Sequence, residues 1–135
     1  MPQLTDLRVA AIALVRDRRV LMVIARDRDV YYMPGGKIDD GETAAEAAAR
    51  EALEEVALVL DPAALVELFE VVAAAHGEPD GRLVRMRVFQ AETDAAPLAS
   101  AEVGSLHWVT TADIDRCPPA GAEVLERLAA AGLID

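Results

Sequence analysis

An acidic segment in the first half of the chain has residue types and a spacing that could bind a metal ion. Between Lys37 and Glu55 there are seven acidic residues, and Lys37 and Arg50 are the basic ones. If this segment is helical, Glu51, Glu54 and Glu55 project within about a third of the helix circumference. Carboxylates so close together repel one another. The spacing indicates either a site for a divalent cation such as Mg²⁺, which binds carboxylate oxygens, water and substrate phosphate, or a solvated acidic helix face.

The loop in front of this segment, Gly35-Gly36-Lys37, contains the single lysine of a chain with twelve arginines. Glycines let main-chain groups approach a ligand closely, and a lysine beside them can contact a phosphate. The loop is not a P-loop, because Ile38 follows the lysine where that motif has Ser or Thr. We therefore expect a phosphate-binding loop of another kind.

Glycine, glutamate and arginine recur across this region at fixed spacings. The residues that carry the pattern are Gly36, Glu42, Arg50, Glu51, Glu54, Glu55 and Leu58. The pattern resembles the Nudix box, Gly-x5-Glu-x7-Arg-Glu-U-x-Glu-Glu-x-Gly-U with U aliphatic, of the Nudix (MutT-like) hydrolase family. It covers 23 residues, and the order of the predicted elements extends the resemblance over most of the chain. Two positions depart from the box: Ala52 replaces the aliphatic residue, and Ala57 replaces the glycine, where we expect a locally adjusted helix end.

The resemblance implies a metal centre on the acidic helix. The implied ligands of Mg²⁺, or of Mn²⁺ in its place, are the main-chain carbonyl of Gly35 and the carboxylates of Glu51, Glu54 and Glu55. Glu51 is implied to be a ligand or the general base. Arg50 is implied to pair with Glu42 and so to join the loop to the helix.

A later loop usually supplies one more carboxylate in this family. Glu102 is the candidate for this ligand or base, and Glu92 and Asp94 are its rivals. Together with Arg50 and Glu51, Glu102 makes up the expected catalytic set.

Four other positions are candidates for binding substrate. Arg26, at the end of the second predicted strand, and Lys37 could clamp a phosphate. Tyr32 follows Tyr31, so on a strand one ring packs in the core and the other can line a pocket. Phe89 alternates with arginines along its strand, which suggests a surface on which a base stacks. An ordinary surface or core role is the alternative at each position.

Apolar periodicity and turn residues predict the elements that position these side chains. The predicted strands are residues 8–15, 19–26, 30–33, 65–73, 83–91 and 106–109. The predicted helices are residues 43–58, which begin with a capping box, and 120–131, with a helical turn at 111–113 between them. The predicted turns are a hairpin at 16–18, a loop that begins at Pro34-Gly35-Gly36, and a turn at 76–81.

The 135 residues contain no repeat or linker, so we expect a single domain over 1–135. The resemblance implies an α+β fold, the α/β/α sandwich with a mixed β-sheet that Nudix proteins share. The net charge of -11 disfavours binding to nucleic acid or to a membrane surface. The start of the chain lacks the pattern of a secretory signal, and Cys117 is the single cysteine, so we expect a cytoplasmic protein. We expect a monomer or a homodimer.

The function that the resemblance implies is Mg²⁺-dependent hydrolysis of a nucleoside diphosphate linked to another group. Residues 73–75 are alanines, where ADP-ribose hydrolases usually have a proline and dinucleoside polyphosphate hydrolases a tyrosine. Elimination favours a nucleoside triphosphate, oxidised or not, that is cleaved to monophosphate and pyrophosphate. The alternatives are a nucleotide-binding module without catalysis and a hydrolase of ADP-ribose or nucleotide sugars.

Overall fold

The computed structural model describes residues 5–78 and 81–135. Pro79 and Asp80, which belong to the turn expected at 76–81, lie outside the described residues. So do residues 1–4, on which the expected absence of a secretory signal depends.

A mixed sheet forms the centre of the described structure. Its strands are β1 (Leu7–Arg16), β2 (Arg19–Ala25), β3 (Gly35–Lys37), β4 (Val66–Ala74), β5 (Leu83–Ala91) and β6 (Val103–Val109). The order across the sheet is β4-β5-β1-β2-β6, and β3 pairs with β1. β1 and β5 run parallel, whereas the other pairs are antiparallel.

Two helices cover the two faces of this sheet. They are α1 (Ala44–Val56) and α2 (Pro119–Ala130), and 3₁₀ turns occupy Pro62–Ala64 and Thr111–Arg116. On the α1 side the core contains Ile12, Leu14 and Leu21, whereas Val88 and Leu125 belong to the core on the α2 side. The predicted α/β/α sandwich with a mixed sheet is confirmed. No helix of the described residues is long and apolar enough to cross a membrane.

The predicted hairpin between β1 and β2 is confirmed. Arg16 pairs with Arg19, and the two residues between them, Asp17 and Arg18, have φ angles of 52° and 60°. Positive φ at both central residues is the geometry of a type I′ turn, which suits the right-handed twist of the strands. The predicted capping box of α1 is also present: the Thr43 hydroxyl accepts from the Glu46 N–H, and the Glu46 carboxylate accepts from the Thr43 N–H.

The third strand was predicted in the wrong place. Residues 30–33 make only an isolated bridge, between Tyr32 and Val23, and the glycines expected to begin a loop form β3. Gly35 pairs with Ala11, and a Cβ on Gly35 would lie 2.4 Å from the carbonyl oxygen of Ala10. Glycine is required here because the two backbones are too close for a side chain.

The C-terminal end of α1 also differs from the expectation of a locally adjusted helix end. Ala57 adopts the ordinary left-handed cap, with φ 58° and ψ 30°, and its N–H donates to the Ala52 and Leu53 carbonyls. A left-handed conformation at a residue other than glycine costs about 1 kcal/mol. Helix α1 therefore ends in the left-handed cap that is typical of glycine, although the residue in this strained conformation is an alanine.

Candidate active site

Strand β3 and helix α1 bring two carboxylates against the glycines. A Cβ on Gly36 would lie 2.5 Å from the Cδ atom of Glu51, so this carboxylate lies directly against the bare backbone. One turn further along α1, the Glu55 Oε2 atom accepts a 3.0 Å hydrogen bond from the Gly35 N–H. The two glycines thus form a wall that carboxylates can approach closely.

Arg50 joins the loop to the helix, as the resemblance implied. Its Nε and Nη2 atoms donate to the two oxygens of Glu42 over 2.8 and 3.1 Å, and Nη2 also donates to the Lys37 carbonyl over 3.0 Å. Its Nη1 atom donates to Glu51 over 2.9 Å and lies 3.5 Å from Glu54. The guanidinium therefore fixes the loop and balances part of the negative charge on α1.

Burial changes the acidity of this cluster. The pKa of Glu55 is raised to about 7, mainly by desolvation and also by the charges of Glu51, Glu54 and Glu102, while the hydrogen bond from the Gly35 N–H lowers it. Desolvation also raises the pKa of Glu51, in spite of its hydrogen bond to Arg50. Near neutral pH, the described site therefore holds two carboxylates whose negative charge is unfavourable.

The donor atoms fit a hard divalent cation. They are carboxylate oxygens and main-chain oxygens, and bound positive charge would relieve the desolvation and mutual repulsion of Glu51 and Glu55. No three acidic, histidine or cysteine side chains within the described ranges already converge as a ligand set. One oxygen of the Glu51 carboxylate accepts from Arg50, and one oxygen of the Glu55 carboxylate accepts from the Gly35 N–H.

A cavity of about 470 Å³ opens beside these carboxylates, which is a suitable volume for a small ligand. The residues from the sequence prediction that line it are Tyr32, Gly35, Lys37, Glu55 and Glu102. Most of the remaining wall is apolar and includes Val9, Val23 and Met86, and the beginning of α2 closes one side. One end of the cavity is therefore ionic, and the rest suits an uncharged group.

Glu102 is the later-loop acid that the structure brings to the cavity. The Ser100 N–H donates to the Glu55 carbonyl, and the Leu98 N–H donates to the Val56 carbonyl, so this loop caps the end of α1. Its rival Glu92 lines a different cavity, of about 420 Å³.

Two predicted substrate contacts, Arg26 and Phe89, are not brought to the cavity. Arg26 is exposed and does not line the cavity. Phe89 is 5% exposed and packs in the core on the α1 side. The alternating pattern of β5 was misleading because only part of this face is open: Arg87 pairs with Glu67 at the surface, whereas Phe89 lies two residues further on, in the core on the α1 side. Glu54 is largely exposed, with its carboxylate facing Arg50 rather than the cavity.

The sequence reasoning missed two side chains that line the cavity, Arg28 and His76. The His76 and Tyr32 rings lie with their centroids 6.2 Å apart in an edge-to-face arrangement. Their local sequence does not mark either residue as part of a site, because elements distant in the chain together form the lining of the cavity.

The fold and the site define a class: an α/β/α sandwich whose acidic helix and glycine strand border a nucleotide-sized cavity. The NUDIX domain family model matches residues 6–128, and the chain belongs to this family. A Bacillus subtilis (strain 168) protein named "Putative 8-oxo-dGTP diphosphatase" is 46% identical over 44 residues, which are 33% of this chain and 30% of that protein. The match thus spans about a third of that relative.

Solved structures share the fold. The MutT protein from Methanosarcina mazei Go1 superposes with a TM-score of 0.78 at 19% identity, over 98% of this chain and 99% of that one. A bifunctional NMN adenylyltransferase/ADP ribose pyrophosphatase from Francisella tularensis, complexed with AMP and a Mn ion, gives a TM-score of 0.70 at 20% identity, over 97% of this chain and 43% of that one. Nudix hydrolases act on pyrophosphate bonds of nucleotide-containing substrates and generally use divalent metals.

Proposed function

We propose that this protein is a Mg²⁺-dependent hydrolase that cleaves the diphosphate linkage of a nucleotide. The preferred substrate class is a nucleoside triphosphate, oxidised or not, which yields a monophosphate and pyrophosphate. One observation carries the proposal: the partly buried carboxylates of Glu51 and Glu55 lie against Gly36 and Gly35, and Glu55 and both glycines line the cavity. Mn²⁺ is the alternative ion, supported by its presence in a structural neighbour.

The residues that would hold the ion are Glu51, Glu54 and Glu55, with the main-chain carbonyl of Gly35. When bound, the ion supplies positive charge that offsets the charge of the diphosphate. Arg50 keeps Glu51 oriented through the 2.9 Å hydrogen bond, while its bonds to Glu42 fix the loop.

The chemical step is an in-line hydrolysis. A water oxygen attacks a phosphorus of the diphosphate, and the bond from that phosphorus to the bridging oxygen breaks. The leaving group, which is pyrophosphate when the α-phosphorus is attacked and the nucleoside monophosphate when the β-phosphorus is attacked, departs with that oxygen. The water proton passes to a carboxylate. Glu51 and Glu102 are the candidate bases, because Glu51 adjoins the glycine wall and Glu102 lines the cavity.

The cavity would hold the nucleoside, with Tyr32 against the base or the sugar and Lys37 on the phosphates. Arg26 and Phe89 are left out of this proposal because they do not line the cavity. The name of the Bacillus subtilis relative supports an oxidised triphosphate, whereas the name of the Francisella tularensis neighbour keeps ADP-ribose as the second candidate. A single domain over 1–135, a cytoplasmic location and a monomer or homodimer belong to the same proposal.

A substrate panel tests the function. Release of pyrophosphate or phosphate from dGTP, 8-oxo-dGTP, ADP-ribose and a nucleotide sugar is measured with Mg²⁺, with Mn²⁺ and with EDTA. We expect turnover of a triphosphate that EDTA abolishes, and a loss of at least 100-fold in Glu54→Gln. The control is Glu126→Gln, an exposed glutamate on α2, which keeps full activity. Nucleotide binding without turnover of any substrate would favour the non-catalytic module.

A further inference from the structure

The turn that follows β2 places one arginine at the cavity and its neighbour outside. The Arg28 N–H closes this turn on the Ala25 carbonyl over 3.0 Å, and Asp27 has a left-handed φ of 66°. The Arg26 N–H donates to the Glu102 carbonyl over 3.1 Å, so the turn is tied to the loop that carries the later acid. The arginine of this turn that lines the cavity is Arg28, an exposed residue.

Arg28 differs from most arginines of the chain because its side chain has no ion pair or hydrogen bond with another described residue. The arginines whose side chains are engaged in this way are Arg16, Arg18, Arg50, Arg82, Arg85, Arg87, Arg116 and Arg127. Among the described residues that line the cavity, Arg28 and Lys37 are the only arginine and lysine. The cavity therefore has two cationic side chains available to an anionic ligand.

We propose that Arg28 binds the phosphate chain of the nucleotide, as a second cation beside Lys37. The inference rests on the proposed function. Glu55 and Glu102 line the same cavity, and the protein carries a net charge of -11, so an anionic substrate needs positive side chains as well as a metal ion. A guanidinium suits this role, because its planar fork donates two parallel hydrogen bonds to phosphate oxygens. Arg28 is thus a binding residue with specificity for the number of phosphates.

The test compares Arg28→Ala with Arg19→Ala, an exposed arginine at the opposite end of β2. We expect Arg28→Ala to raise KM for the triphosphate about 10- to 100-fold, the value of a charge-assisted hydrogen bond, with kcat changed less than about threefold. Arg28→Lys should recover part of the loss, and Arg19→Ala should stay within about twofold of wild type. Equal KM values in Arg28→Ala and Arg19→Ala overturn the proposal. An increase in KM in Arg26→Ala but not in Arg28→Ala also overturns it.

Binding of a non-hydrolysable triphosphate analogue separates this inference from the proposed function. Calorimetry with the analogue, with the nucleoside monophosphate and with the nucleoside should show a loss in Arg28→Ala that grows with the number of phosphates. If wild type binds the analogue but hydrolyses nothing, and Arg28→Ala weakens binding, the hydrolase proposal fails and the role of Arg28 stands. If the wild type hydrolyses triphosphates and Arg28→Ala binds the analogue as tightly as the wild type does, the proposed role of Arg28 is refuted and the hydrolase proposal stands.

Discussion

Replacing Glu55 with glutamine should make the metal-free protein more stable while removing its activity. The Glu55 carboxylate is largely desolvated and lies among other acids, and burial raises its pKa to about 7. Glutamine has nearly the same shape, and its side-chain oxygen can still accept the hydrogen bond from the Gly35 N–H. The change therefore removes the unfavourable charge and keeps the contact.

The size of the effect follows from the pKa. In the unfolded chain this carboxyl ionises near 4.5, so the folded state holds its proton more tightly between pH 4.5 and about 7. The contribution of Glu55 to stability is therefore most favourable below pH 4.5, falls as pH rises to about 7, and is constant above it. A pKa difference of one corresponds to about 1.4 kcal/mol. Through Glu55, the free energy of unfolding of the wild type is therefore about 3 kcal/mol lower at pH 8 than below pH 4.5. Glu55→Gln should recover most of this amount.

Urea unfolding in EDTA from pH 4.5 to 8.5 measures the difference between Glu55→Gln and wild type. We expect this difference to grow by about 3 kcal/mol across the range and to shrink when Mg²⁺ is added, because the ion would bind the ionised carboxylate of the folded wild type. Glu54→Gln is the control: its side chain is 56% exposed, and we expect a change within about 0.5 kcal/mol. A difference that does not depend on pH, or a variant less stable than wild type at pH 8, refutes the reasoning.

Three further substitutions test separate parts of the site. Ala57→Gly should stabilise the protein by about 1 kcal/mol in chemical unfolding, because glycine adopts the left-handed φ of 58° without strain. The control Ala45→Gly, inside α1, should destabilise the protein by about as much. Changes of the same sign in the unfolding free energy of the two variants would contradict this prediction. Gly36→Ala should lower kcat at least tenfold with little change in the free energy of unfolding, because the new Cβ displaces only the flexible end of Glu51. An unchanged kcat would contradict the position of the Glu51 carboxylate in the site. Arg50→Lys should lower the free energy of unfolding by about 1–2 kcal/mol in thermal unfolding and reduce turnover, because an ammonium cannot replace the forked hydrogen bonds to Glu42. If the variant is as stable as the wild type, this hydrogen-bond network contributes nothing to stability.

The features that the sequence predicted correctly depend on local spacing. The capping box of Thr43 and Glu46 requires only a separation of three residues, and the hairpin between β1 and β2 requires two apolar strands with a polar turn. The pair of Arg50 with Glu42 was reached through the motif, which fixes residues eight apart on a loop and a helix. These features depend only on residues that are close together in the chain, so local sequence patterns are sufficient to predict them.

The errors arose where the partner lies far away in the chain. Gly35 and Gly36 have the composition of a loop, and only the approach of β1 makes them a strand. The alternation of Phe89 with arginines suggests an open face along the whole strand, but the end of that face at Phe89 packs in the core on the α1 side. The sequence points to Arg26 and gives no reason to expect Arg28 at the cavity, because the left-handed conformation of Asp27 between them has no signal in the sequence.

The strain at Ala57 and the buried charge at Glu55 are two costs of the same helix end, but only one of them serves the proposed chemistry. The left-handed turn at Ala57 lets the loop that carries Glu102 cap α1, and glycine would make the same turn without strain. The charge on Glu55 has no neutral substitute, because a cation needs the ionised oxygen. In the double variant Ala57→Gly/Glu55→Gln, stability should therefore exceed that of either single variant, while activity follows the change at Glu55 alone.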